Sequence, residues 1–241
     1  MKSEECNATL RSLVEEFATA ASVIFRKFEF RFRHVSWRKP TIHFSLFTIL
    51  ILHSSLFTLH FLASCNAEGE YSIWPCRFTY DNSLHLDPTL ASAMNIDSRG
   101  VFCKIWESSM GGLVLHFQSN QGGAATHQPV TEMERMSNYI LGLNNGIIVG
   151  FQTLNTQPYG GFVAYDAQCP NCVRRENNTI NPKHPVTMSA SGIASCATCG
   201  KKYDLNNGGI VQNGEEGDVG LQKYLATTTG PNGFLSVGTK R

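Results

Sequence analysis

The sequence is short of several things, and each shortage argues against a class of function. It has almost no net charge: 20 Lys and Arg stand against 19 Asp and Glu, a formal +1 over 241 residues. That balance argues against a dedicated nucleic-acid binder, which needs a basic surface to meet phosphates. There is no G-x-S-x-G, no H-E-x-x-H, no phosphate-binding glycine loop and no convincing paired acid and base. The sequence therefore offers no argument for an enzyme. From Thr41 to Ser64 there is no Lys, Arg, Asp or Glu at all. No twin-arginine pair precedes that run.

The uncharged run is long enough to span a bilayer as a helix. Its three histidines, His43, His53 and His60, can be neutral there. Arg26, Lys27, Arg31, Arg33, Arg38 and Lys39 precede it, where a membrane-targeting segment carries its positive charge. The 12 basic and 14 acidic residues after position 65 leave that remainder at −2. Leu62-Ala63-Ser64-Cys65 closes the run and matches the bacterial lipobox, a site cut just before a cysteine that becomes lipidated. Residues 41–65 are thus expected to be a signal peptide with Cys65 as its lipidation site; an uncleaved signal anchor is the alternative. Two or more lipid chains hold a protein stably without a spanning helix. Residues 1–40 are a doubtful extension, longer than a signal peptide's basic region, and Glu15 to Phe30 could form an amphipathic helix. A true start further downstream is the simplest reading. The expected location is the bacterial cell envelope, lipid-anchored on the outer membrane or the periplasmic face.

What is present in abundance after residue 66 is Gly, Asn and Thr between short apolar runs, a composition that favours β structure. Strands are expected at Ile73–Tyr80, Gly100–Trp106, Gly112–Gln118, Ile147–Phe151 and Gly161–Asp166. A hairpin should turn at Gly111-Gly112 between the second and third of these. Asp87-Pro88-Thr89 should open a short helical turn through Met94. Thr131-Glu132-Met133-Glu134 is a capping box that should start a helix running to about Leu141. On such a helix Met133, Met136, Tyr139, Ile140 and Leu143 share one face, which reads as core contact. His85, His116 and His127 are isolated, and a surface or satisfied core histidine is the default for each. Later hairpins are expected at Val186–Ser195, turning at Ser191-Gly192, and at Tyr224–Val237. Export would allow a disulfide between Cys76 and Cys103; two buried free thiols are the alternative.

The chemistry centres on two cysteine pairs, Cys169-Pro170-Asn171-Cys172 and Cys196-Ala197-Thr198-Cys199, separated by 23 residues. A C-x2-C turn points both sulfurs the same way. Two such turns supply four thiolates, which suits tetrahedral zinc or an iron site. The separation is slightly longer than the usual zinc-ribbon range. Disulfides are the competing reading. Gly200 directly after Cys199 frees the backbone to aim N–H groups at sulfur. The first pair has Val173 in that place, so the two turns are not equivalent.

From Cys196 the chain reads Cys-x-x-Cys-Gly200-x-x-Tyr203-Asp204-x-x-x-Gly208. With a strand, a cysteine loop and a hairpin before it, this resembles the cluster-binding half of a Rieske domain, over about residues 160–241. That family's second loop reads C-x-x-H-G-x-x-[FY]-[DN]-x-x-x-G. The resemblance implies a mainly β fold: an antiparallel β-sandwich over residues 66–241, with a two-loop metal-binding part at about 160–212, of the rubredoxin or zinc-ribbon kind, and one short α-helix. This chain departs from the family at both histidines. Its first loop is C-x-x-C rather than C-x-H, and Cys199 stands at the family's second histidine. His184 lies between the loops and matches no family position.

Four thiolates change the expected chemistry. They would lower a [2Fe–2S] potential toward about −400 mV, and no imidazole would remain to release a proton. The same ligands suit one structural zinc. A lipobox implies unfolded export, after which zinc is easier to load than a cluster, so zinc is favoured over [2Fe–2S]. The expected function is a membrane-anchored lipoprotein whose four cysteines bind a metal in a structural or binding module. The alternative is an electron-transfer protein with an all-cysteine cluster and a redox protein partner.

Overall fold

The computed structural model of the chain describes residues 71–109, 112–154 and 161–240. The extension 1–40, the apolar run with Cys65, and the first half of the Gly111-Gly112 turn lie outside the described residues. Among the described residues no helix is long and apolar enough to cross a membrane.

The protein is mainly β. Every pairing between its strands is antiparallel. The first strand, β1 (Arg77–Asp81), leads into two short helices, α1 (Asn82–His85) and α2 (Pro88–Ala93). Asp81 and Asp87 cap them: each carboxylate accepts a backbone N–H from the first turn. A meander follows in β2 (Phe102–Ser108), β3 (Val114–Ser119) and β4 (Thr126–Pro129), then the short α3 (Glu132–Met136). Next come β5 (Ile147–Phe151), β6 (Phe162–Asp166) and α4 (Pro170–Glu176). The second half holds β7 (Val186–Met188), β8 (Ile193–Cys196), β9 (Lys202–Asp204), a 3-10 turn Leu205–Asn207, and β10 (Ile210–Val211). The final hairpin is β11 (Lys223–Thr228) and β12 (Phe234–Gly238).

These strands form two sheets. The larger has eight strands in the order β1-β12-β11-β6-β5-β2-β3-β4, and the smaller has four in the order β10-β9-β8-β7. The large sheet curls on itself. Five strands separate β1 from β3 in that order, yet the rings of Tyr80 and Phe117 lie 5.3 Å apart.

β5 is the hinge of the packing. All five of its residues are buried. Side chains alternate across a strand, so such a run must be covered on both faces. Ile147 and Val149 join a first core with Phe78, Leu90, Ile105, Phe117 and Leu235. Ile148 points the other way, into a second core with Phe102, Tyr165, Val186, Tyr203 and Leu205. The second core joins the large sheet to the small one. Each fully buried aliphatic or aromatic side chain contributes about 1.5–3 kcal/mol.

Several expectations hold and some fail. Four of the five expected early strands, the Ser191-Gly192 turn and the last hairpin stand close to where the sequence places them, whereas the first strand begins only at Arg77, with Ile73 exposed before it, and β4 was not expected. The capping box forms as expected, with Thr131 and Glu134 bonded reciprocally. The helix after it does not reach Leu141. It ends at Met136, and Asn138 turns left-handed at φ 49°. Met133 and Met136 are therefore over 80% exposed rather than core, while Tyr139 meets Phe78 edge-on with centroids 5.7 Å apart. The expectation of one short α-helix is also too few, since four are present among the described residues.

Cys76 and Cys103 are buried free thiols in the first core. They face different groups: Gly142 and Asp166 act on Cys76, Asp87 and Gln118 on Cys103. Burial pushes both thiols up, Cys76 to about 12, so they pack as small protonated hydrophobes.

Asp166 ends β6 and is fully buried. Its carboxylate accepts from Leu143 N–H at 2.7 Å, Gln168 N–H at 2.8 Å and the Tyr224 hydroxyl at 2.6 Å. Gly142 must remain glycine here: its φ is +68°, and a Cβ would sit 2.5 Å from the carboxylate. Burial raises Asp166 from 3.8 to about 6 despite those three donors. The folded state therefore keeps a proton that the unfolded chain has lost. This contribution to stability is full below the unfolded value and is lost as pH rises through about 6. Tyr224→Phe removes a donor from the carboxylate. It should destabilise by about 1–3 kcal/mol near neutral pH, and by clearly less near pH 4, where Asp166 is protonated. Equal losses in denaturant titrations at the two pH values would show that Asp166 does not titrate this way.

Candidate metal centre

The two cysteine pairs are carried on different scaffolds. Cys169 follows β6 and is the N-cap residue of α4; Pro170 occupies the first turn, where its missing N–H costs nothing. Cys172 lies one turn into the helix. The backbone N–H of Cys169 donates to His184 O at 2.8 Å, which fixes the loop entry. The second pair is carried on a tight α-turn. Cys196 ends β8, and Gly200 N–H donates back to Cys196 O at 2.9 Å. Gly200 takes φ +71°, the left-handed region that closes the turn. The difference between Val173 and Gly200 is thus the difference between a helix that continues and a turn that reverses.

The fold brings all four sulfurs together. Cys169, Cys172, Cys196 and Cys199 place their Sγ atoms within 4.8 Å of one another. Two close approaches cross between the loops: Cys169 to Cys199 at 3.6 Å and Cys172 to Cys196 at 3.7 Å. All four are free thiols, so the disulfide alternative is not what the structure contains. Metal–sulfur bonds of about 2.3 Å arranged tetrahedrally require S···S distances of about 3.8 Å. The quartet could therefore bind a metal ion. Three of the cysteines are buried, and Cys199 is partly exposed, so one edge of the centre lies near solvent.

Polar groups contact individual sulfurs, while burial raises the thiols of Cys169 and Cys172. The Tyr203 hydroxyl lies 2.9 Å from Cys169 Sγ. Asn171 Nδ2 donates to the Tyr203 oxygen at 3.0 Å, and against a Cys169 thiolate the hydroxyl is the donor. Burial and the neighbouring sulfur keep that tyrosine protonated. Arg175 Nη2 approaches Cys172 Sγ at 3.5 Å. Burial pushes Cys169 up to about 11, partly offset by the Tyr203 hydroxyl. Burial also acts to raise Cys196, but N–H groups of Cys199 and Thr198 outweigh it and bring that thiol down to about 7.

His184 is not among the close donors. It is a buried brace: its Nε2 meets Glu176 Oε2 at 2.7 Å and its Nδ1 meets Thr198 Oγ1 at 3.1 Å. It ties the end of α4 to the second cysteine turn. The other histidines are placed apart. His85 pairs with Glu134 at 2.9 Å, and His116 stacks on Trp106 with centroids 5.0 Å apart and faces His127 at 6.2 Å. Sequence reasoning missed Asn171, Arg175 and the bracing role of His184. Tyr203 stood in the quoted pattern, but nothing in the sequence shows which sulfur it meets. Comparison with known protein families, characterised proteins and solved structures found no match.

Two substitutions separate ligands from their support. Cys172→Ser should abolish stoichiometric metal binding. Tyr203→Phe keeps all four thiolates and should weaken metal retention by about 10–100-fold in competition with a chelator. Retention unchanged in Tyr203→Phe would show that the hydroxyl does not support Cys169.

Proposed function

We propose that this chain is a metal-binding module in which Cys169, Cys172, Cys196 and Cys199 hold a single ion, zinc. The observation that carries this reading is the compactness of the sulfur quartet, with no pair beyond 4.8 Å. One ion at the centre of a tetrahedron needs such an arrangement. A two-iron cluster must spread its thiolates into two separated pairs, one for each iron. Zinc would supply folding energy rather than redox chemistry, binding deprotonated sulfur and locking the α4 loop to the β8–β9 turn.

We extend the proposal to the rest of the chain. The module is a Rieske-like domain that has exchanged its histidines for cysteines. The support is the order of elements: a strand, the first cysteine loop, a hairpin, the second loop running into Tyr203-Asp204, and a closing hairpin. A lipid on Cys65 would hold it to the bacterial cell envelope, on the strength of the lipobox and the basic-then-apolar order before it. The second reading is electron transfer through an all-cysteine [2Fe–2S] cluster to a protein partner. It is favoured by one observation, the partly exposed Cys199 at the edge of an otherwise buried centre.

Metal analysis and a visible spectrum of the purified full-length chain decide between them. About one zinc per chain and no colour is the expected result, with chelation lowering the unfolding temperature. Iron with acid-labile sulfide and visible absorption would replace the first reading with the second. Oxidised thiols without metal would sink both.

A further inference from the structure

Beside the metal centre, between the outer face of β2 and β3 and the strand β7, lies an open cleft of about 600 Å³. That size falls in the range of small-molecule sites. Its wall is unusual in charge. It contains Lys104 and Lys183 and no Asp or Glu. Lys104 is half-buried on β2. Its ammonium reaches one protein acceptor, Val186 O, at the long distance of 3.5 Å, and lies 6.0 Å from the centre of the Trp106 ring. Among the described residues no carboxylate is within ion-pair distance of it. Burial pushes its pKa down, the mark of a cation that lacks a counter-charge.

Two of the amides around the cleft hold its shape. Asn120 accepts from Phe102 N–H and donates to Gly100 O and Ser189 O. Asn145 exchanges two bonds with the backbone of Glu107. These bonds fix β2, β3 and the approach to β7 as rigid walls. Against those walls the Lys104 ammonium has only its long bond to Val186 O and no carboxylate, beside the flat indole of Trp106 on which His116 stacks.

We propose that this cleft binds a small organic anion bearing a flat ring, its acidic group on Lys104 and its ring against Trp106. A carboxylate would give the ammonium the charge-assisted partner that the protein does not supply. The ring would add dispersion and stacking with indole. Lys183, exposed at the rim, raises the local positive potential and draws anions in. This role is independent of which metal the cysteines hold.

The test uses the full-length, metal-loaded chain and 2-naphthoate as the probe, followed by titration calorimetry. Neutral 2-naphthamide and the ring-saturated cyclohexanecarboxylate serve as comparisons. The expected result is saturable binding of 2-naphthoate, at least about tenfold tighter than either comparison. Lys104→Gln should erase the preference over 2-naphthamide, and Lys104→Arg should retain it. Trp106→Leu should erase the preference over cyclohexanecarboxylate. Each variant must keep wild-type metal content and unfolding temperature; should Lys104→Gln fail that check, Lys104→Arg and Trp106→Leu carry the test. No saturable binding of 2-naphthoate, equal binding of the amide, or undiminished preference in Lys104→Gln would overturn the proposal.

Discussion

The structure depends on one strand that has no solvent face. β5 buries all five of its residues, and its alternating side chains serve two cores at once. The first core fills the curl of the large sheet. The second fills the space between that sheet and the four-stranded one, and three of the four cysteines belong to it. A change at Ile148 would therefore disturb the core that also holds Cys169, Cys172 and Cys196.

That dependence explains how the cysteine quartet is held. The helix α4 and the β8–β9 turn come from distant parts of the chain, and neither could fix sulfur positions alone. The second core brings them together. Polar braces then set the angles: Asn171 bonds Tyr203 and Val219 O at 2.9 Å, and His184 joins Glu176 to Thr198. The protein thus builds the site with apolar burial for position and hydrogen bonds for orientation. Asp166 extends the same logic one layer out, tying the end of β6 to the 142–143 loop and to β11 beneath the first cysteine.

Metal centre and cleft share a wall. Gln168 and Val186 border both the cysteine loop and the cleft, and Gln168 accepts from the His184 N–H at 2.9 Å. A rigid metal centre would keep that wall in place.

Some of this was determined by the sequence itself. Local rules place β5, the last hairpin and the Ser191-Gly192 turn, because a short apolar run and a glycine turn need nothing beyond near neighbours. The capping box of Thr131 and Glu134 is likewise local, and it formed. The four metal-ligand candidates could be read from spacing alone, because a C-x2-C turn is a local geometry. The extent of α3 was misread, because helix periodicity carried it to Leu141, whereas the chain turns left-handed at Asn138 and Tyr139 packs edge-on against Phe78. The helix after Cys169 was hidden because a cysteine pair reads as a turn, and Pro170 reads as a break although it also suits a helix start. Only the tertiary structure decided that the two pairs meet, that Tyr203 and Arg175 point at sulfur, and that Lys104 and Trp106 line one cleft. The two pairs meet, and Tyr203 meets Cys169, across 24 to 34 positions, while Arg175 reaches Cys172 along a helix that the cysteine pattern did not reveal.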